Sequence, residues 1–96
     1  MQYLVLVSRS SPPPNETPTA AERQAEQEVI RNLYVDGVVR QIWLREGGAV
    51  ILAEGDSAPA LERTFSALPL VKSGFLQTPT VIALKPYPGF GPQLGE

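Results

Sequence analysis

The stretch GVVRQIWLREGGAVILAEGDS, residues 37–57, decides the fold. Apolar and polar residues alternate from Val38 to Arg45, a glycine pair follows at Gly47-Gly48, and Ala49–Glu54 turns apolar again. Alternation with period two is the pattern of a strand, and two such runs around a glycine pair predict a β-hairpin. With Gly47-Gly48 as the turn, Leu44 falls opposite Ile51, Ile42 opposite Ala53, Trp43 opposite Leu52 and Gln41 opposite Glu54. Val38, Arg40, Ile42 and Leu44 then share one face, and Val39, Gln41, Trp43 and Arg45 the other. The first face is the more uniformly apolar and is expected to face the helices, which places the Arg40 guanidinium among core-facing residues. The Trp43 face mixes a large aromatic with polar groups, as suits a sheet-to-sheet contact between subunits.

Upstream of the hairpin, QYLVLVS at 2–8 reads as a short buried strand. A proline-rich loop at 11–18 separates it from a helix expected over 18–36. That helix starts near Thr17-Pro18, where proline suits the first helical position, or at Thr19, where Thr19-Ala20-Ala21-Glu22 fits a capping box. Gly37 is its expected left-handed stop. Downstream, Asp56 or Ser57 caps a second helix over 57–68, with Pro59 in its first turn, Leu61, Phe65 and Leu68 on one face, and Pro69 at its end. A fourth strand is expected over Leu76–Leu84. The tail at 85–96, KPYPGFGPQLGE, holds too many prolines and glycines for a helix or a central strand. The order βαββαβ is that of the α+β ferredoxin-like unit: a four-stranded antiparallel sheet with two helices on one face. The open sheet face calls for a cover, and a second copy of the chain is the expected one.

Composition bounds the chemistry. The 96 residues make one domain, 1–96, ending in that Pro/Gly-rich tail, and 43% hydrophobic content is ordinary for a globular chain. The net charge of −2 is mixed along the chain without a basic patch, so no nucleic-acid partner is expected. There is no cysteine and no histidine, which excludes disulfides, thiol chemistry and the commonest metal ligands. Acid–base work therefore falls to Asp, Glu, Tyr, Lys or Arg. The opening MQYLVLVSRS lacks the basic region of a signal peptide, and no stretch approaches a membrane span, so the expected location is cytoplasmic, without a membrane partner.

The first helix carries the candidate site. At about 100° per residue, Ala25, Val29, Ile30 and Leu33 define its apolar side. Glu22 and Glu26 fall within the same stripe, while Gln24, Gln27, Glu28 and Arg31 fall outside it. Two carboxylates thus point toward the sheet, and Arg40 points back from it. Glu26 and Arg40 become the candidate catalytic pair of a pocket between helix and sheet, with Glu22, Tyr3 and Trp43 as weaker substrate-binding candidates. Plainer roles exist for each. Glu22 completes a capping box. Glu26 and Arg40 form an ion pair at the edge of the core. Trp43 anchors an interface or core.

The segment EQEVIRNLYVDGVVRQIWLREGG, residues 26–48, with Arg40-x-x-Trp43, Asp56-Ser57 and Leu68-Pro69-Leu70, resembles the muconolactone isomerase family. The match is a scattered pattern over most of the chain after the first loop, and the loop at 11–18 and the tail depart from it. The resemblance implies a dimeric α/β barrel, a homodimer or larger homo-oligomer packed sheet to sheet. It also implies a cofactor-free shift of a proton within an unsaturated lactone, with Glu26, Glu28, Arg40 and Trp43 at matching family positions. The chemistry needs only a base, made stronger by desolvation, and a fixed cation for the enolate oxygen. The alternatives are a small-molecule-binding or tailoring protein, such as a cyclase or cofactor-free monooxygenase, and a non-catalytic oligomerisation module.

Overall fold

The computed structural model describes residues 1–11 and 17–89. Residues 12–16 of the proline-rich loop and 90–96 of the tail lie outside this description. Strands β1 (Gln2–Ser8), β2 (Val39–Arg45), β3 (Gly48–Glu54) and β4 (Thr80–Ala83) alternate with helices α1 (Ala20–Val35), α2 (Ala58–Ser66) and the one-turn α3 (Pro69–Lys72). The sheet order is β2-β3-β1-β4, with every pair antiparallel. This is the α+β ferredoxin-like arrangement, with two main helices.

Local chemistry sets the helix ends. Thr19 is the N-cap of α1: its hydroxyl accepts from the Glu22 N–H at 3.1 Å, and its own N–H donates to Glu22 Oε1 at 2.9 Å. At the other end Gly37 takes φ +82, and the Gly37 and Val38 N–H groups donate back to the Tyr34 and Leu33 carbonyls. This is the left-handed closure for which glycine is suited. Ser57 caps α2 by accepting from the Ala60 N–H at 3.2 Å. Helix α2 ends at Ser66, two residues short of the expected Leu68, and Pro69 opens α3, a turn the sequence pattern does not announce. Strand β4 is shorter than expected. Pro79 has no N–H to give to the ladder, so pairing begins at Thr80, and only an isolated bridge joins Leu76 to Arg9.

The hairpin register differs from the expected one. Arg45 pairs with Gly48, Leu44 with Ala49, Trp43 with Val50 and Ile42 with Ile51, so the turn residues are Glu46 and Gly47. Gly47 alone takes the left-handed conformation, at φ +79, while Gly48 belongs to β3. A register irregularity between Val39 and Gln41 then leaves Arg40 as the extra residue of a β-bulge. The bulge reverses the alternation, so Val39 faces the helices and is buried, while Arg40 is exposed.

The core lies between the sheet and α2. Tyr3, Val5, Val7, Val39, Ile51 and Ala53 meet Leu61, Phe65 and Leu68, and Phe65 is fully enclosed. Helix α1 has no fully buried residue; Val29, Ile30 and Leu33 only lean on the core. The opposite sheet face carries Leu4, Leu6, Val50, Leu52, Trp43 and Ile82, with Trp43 51% exposed.

Candidate functional site

The incomplete seating of α1 leaves a cavity of about 520 Å³ beneath it. Its floor is Val7, Ala49, Ile51 and Leu68. Ile42 and Leu44 of the edge strand form one wall, and Leu70 and Leu76 close the side next to α3. Leu44 faces this space yet is 88% exposed, so the cavity is open along the β2 edge. The polar groups are few: Glu26, Gln27 and Arg31 from α1, and Arg9 just past the end of β1. A mainly apolar concavity of this size with a few convergent polar groups is the usual form of a small-molecule site.

Glu26 is the chemically distinctive group. It is half-buried, and burial raises its pKa above the ordinary 4.5 because the ionised form is desolvated. The Leu70 N–H opposes that rise in part: it donates to Glu26 Oε1 at 3.1 Å. Leu68, the N-cap of α3, offers no side-chain cap, so Glu26 supplies an acceptor that this short helix otherwise lacks. Among the described residues the second carboxylate oxygen, Oε2, has no hydrogen-bond partner, and it is not sealed from solvent.

The other sequence-derived candidates sit elsewhere. Arg40, expected to face Glu26, does not line this cavity. The bulge turns it to the C-terminal end of α1, where its guanidinium lies beside Gly37 in a shallow depression with Tyr34 and Val39. No ion pair joins it to Glu26 among the described residues. Glu22 is engaged in the Thr19 capping box. Tyr3 is a core residue whose hydroxyl approaches Met1 Sδ at 3.5 Å. Trp43 points to the far sheet face, since its neighbours Ile42 and Leu44 line the cavity. The structure thus brings one of the five proposed residues to the cavity and adds three others. Arg9 had a signal in the sequence: it continues the period-two face Tyr3, Val5, Val7 by one step. Gln27 and Arg31 flank the apolar stripe of α1 and reach the rim from its edge.

No family model matches the chain, and no curated protein is similar to it. Among solved structures the chain is similar to 5-chloro-2-hydroxyhydroquinone dehydrochlorinase (TftG) from Burkholderia phenoliruptrix AC1100, in complex with 2,5-dihydroxybenzoquinone. The TM-score is 0.63 over 88% of this chain and 94% of that one, at 13% identity. At that identity the likeness is one of fold.

Proposed function

We propose that this chain is an isomerase that shifts a proton within an unsaturated lactone or related small acid, as the resemblance to muconolactone isomerases implies, with Glu26 as the proton carrier. One observation carries the reading: a half-buried carboxyl lines an apolar cavity, one oxygen held by a backbone N–H and the other without a partner among the described residues. Desolvation raises the proton affinity of such a group, and the Leu70 N–H fixes its aim. In the reaction Glu26 Oε2 takes a proton from a carbon next to the lactone carbonyl. The electron pair of the broken C–H bond delocalises through the ring onto the carbonyl oxygen. The same carboxyl returns the proton to the far carbon of the extended enolate, so the product is an isomer of the substrate. The cationic groups at the rim favour the enolate over the neutral ring.

A second reading follows from the structural neighbour, whose printed name is that of a dehydrochlorinase and whose bound compound is a hydroxylated quinone. A tailoring reaction on a one-ring hydroxylated compound would use the same carboxyl to remove a proton. The partner is proposed to be a second copy of the chain, packed on the sheet face that bears Leu4, Leu6, Val50, Leu52, Trp43 and Ile82, because that apolar face is uncovered in the single chain. Trp43→Glu should then lower the mass seen by light scattering to that of one chain, and an unchanged mass refutes this interface.

The activity test uses butenolides bearing a carboxylate side chain. Double-bond migration and deuterium uptake from D2O are followed by NMR for wild type and Glu26→Gln. The substitution keeps an acceptor for the Leu70 N–H, so the urea midpoint at pH 7 should be close to that of wild type. Activity should fall by about 10²–10⁴-fold, the usual worth of a general acid or base. Full activity in Glu26→Gln would refute the assignment. Turnover of hydroxylated quinones but not butenolides would favour the second reading.

A further inference from the structure

We infer that β2 pairs edge to edge with the β2 of a second copy of this chain, antiparallel and centred on Trp43, so that each chain closes the open side of the other's cavity. The inference goes beyond the proposed function and does not depend on the chemistry of Glu26.

Strand β2 lies at the edge of the sheet, with β3 as its one neighbour among the described residues. In an antiparallel ladder alternate residues turn both their N–H and their C=O toward the neighbour. The Ile42 N–H does not go to β3; it donates to Gln41 Oε1 of its own strand at 2.9 Å. Ile42 and, two residues on, Leu44 therefore offer their backbone groups outward, while Gln41, Trp43 and Arg45 turn theirs to β3. The bulge at Arg40 bounds this run on one side, and the Glu46-Gly47 turn bounds it on the other. Between them the edge is apolar: Ile42, Trp43 and Leu44 are 38, 51 and 88% exposed. Such an edge is a template for a further strand.

Complementarity selects a second copy and fixes its register. A two-fold pairing that sets outward groups against outward groups is centred on Ile42, Trp43 or Leu44. Centred on Ile42, it sets Arg40 against the partner's Leu44; centred on Leu44, it sets Glu46 against the partner's Ile42. Either leaves a charge beside an aliphatic side chain. Centred on Trp43, it sets Ile42 opposite the partner's Leu44, Gln41 opposite the partner's Arg45, and Arg40 opposite the partner's Glu46. Opposite charges then meet at both ends, apolar pairs lie between them, and the two indole rings meet at the centre. Among the described residues neither Arg40 nor Glu46 has an ion-pair partner within its own chain. The Gln41 side chain releases the Ile42 N–H, which passes to the partner's Leu44 carbonyl. Ile42 and Leu44 form the open wall of the cavity, and residues directly opposite in an antiparallel pair share a face. The partner's Leu44 and Ile42 thus continue that wall in each chain. The sheet-face partner of the proposed function packs on the other side of the sheet, so both contacts form together, and Trp43→Glu weakens both.

The test is disulfide cross-linking, made unambiguous because the chain has no cysteine of its own. Ile42→Cys and Leu44→Cys are prepared separately, one of them with a tag that shifts its size, then refolded together and oxidised with copper phenanthroline. Opposite residues of a hydrogen-bonded pair have Cα atoms about 5.5 Å apart, within the span of a disulfide. The mixed dimer should form in the mixture, and neither variant should cross-link alone, since each cysteine then faces an aliphatic residue. Both positions point away from the sheet face, so the result is independent of the sheet-face interface. Arg40→Glu and Glu46→Arg should each weaken association by about tenfold and lower the mass seen by light scattering. The double variant Arg40→Glu/Glu46→Arg should restore both, with the same circular dichroism throughout. No cross-link in the mixture, or an equal cross-link in either variant alone, would overturn the pairing or its register. A double variant no better than the single ones would overturn the charge assignment. A chain that cross-links in this way but isomerises nothing refutes only the proposed function.

Discussion

Replacing Gly48 by alanine tests the hairpin register at its most sensitive point. A Cβ at Gly48 would overlap the Val7 carbonyl oxygen and lie 2.9 Å from the Val7 carbonyl carbon and 3.0 Å from Ser8 Cα. All three atoms are backbone of β1, so no side chain can swing away. Restoring ordinary contact distances of about 3.5 Å requires the strands to part by roughly 1 Å or more. The Ser8–Gly48 and Val7–Ala49 pairs sit at that end of the ladder, next to the Arg9 to Gly47 hydrogen bond. Overpacking costs about 1–3 kcal/mol, and two weakened hydrogen bonds add about 0.5–1.5 kcal/mol each. Loss of glycine's unfolded-state freedom returns about 0.4–1 kcal/mol. The expected net destabilisation is about 2–4 kcal/mol. Gly47→Ala is the control: its Cβ meets nothing within 4 Å, and only the φ of +79 opposes the change. That strain costs about 1–2 kcal/mol, offset by the same entropy term, so the net is about 1 kcal/mol. Urea unfolding followed by circular dichroism measures both. Were the true turn Gly47-Gly48, Gly48 would be a free turn residue and the two costs would be similar. A Gly48→Ala cost no larger than that of Gly47→Ala would therefore refute the register.

Phe65→Ala should destabilise by about 3–5 kcal/mol in the same assay, because the ring is fully enclosed between α2 and the sheet. Thr19→Ala removes half of the capping box on α1 and should cost about 1 kcal/mol, whereas Thr19→Ser should cost little. The pH dependence follows from the raised Glu26 pKa. Below the ordinary value of 4.5 the carboxyl is protonated in both folded and unfolded chains. As pH rises past it, the unfolded carboxyl ionises first, so wild type should lose stability relative to Glu26→Gln until the folded carboxyl ionises as well. Urea midpoints of the two proteins from pH 4 to 8 check this, and a difference that grows in favour of wild type would contradict it.

The elements were legible where local chemistry is unambiguous. Alternation in β1 and the hairpin, the Gly37 stop and the Leu61, Phe65, Leu68 stripe are read directly, and of the two cap candidates open for each main helix the fold takes Thr19 and Ser57. The register was not legible, because two adjacent glycines are equivalent as turn residues until β1 approaches one of them. That approach is a long-range event: Val7 and Ser8 lie some forty residues away in sequence. The bulge at Arg40 has no composition signal, and it undoes the face assignment of Val39 and of Arg40 itself. This is why Arg40, read as core-facing, stands exposed. On α1 the wheel placed Glu26 on the inner side correctly, since the helix is regular from Ala20 to Val35. Arg9 is not legible as a site residue because it lies one position past β1, which ends at Ser8, although the alternation runs on to it.

The cavity itself follows from a division of labour between the helices. Helix α2 offers Leu61 and Phe65, with Leu68 beyond it, and these fill one half of the sheet to full enclosure. Helix α1 offers Val29, Ile30 and Leu33 toward its C-terminal half, but Glu26 one turn earlier, where a leucine would close the core. A carboxyl at that place cannot sink into the hydrocarbon floor without losing its water, so it stops half-way and takes the nearest unsatisfied donor, the Leu70 N–H. That one hydrogen bond ties α3 to α1 and holds the space beneath them open. Glu26→Leu removes the desolvated carboxyl but leaves the Leu70 N–H without its acceptor, a cost of about 1–3 kcal/mol, so its urea midpoint should lie below that of Glu26→Gln, which keeps an acceptor there, and a higher midpoint would refute this account of the hydrogen bond.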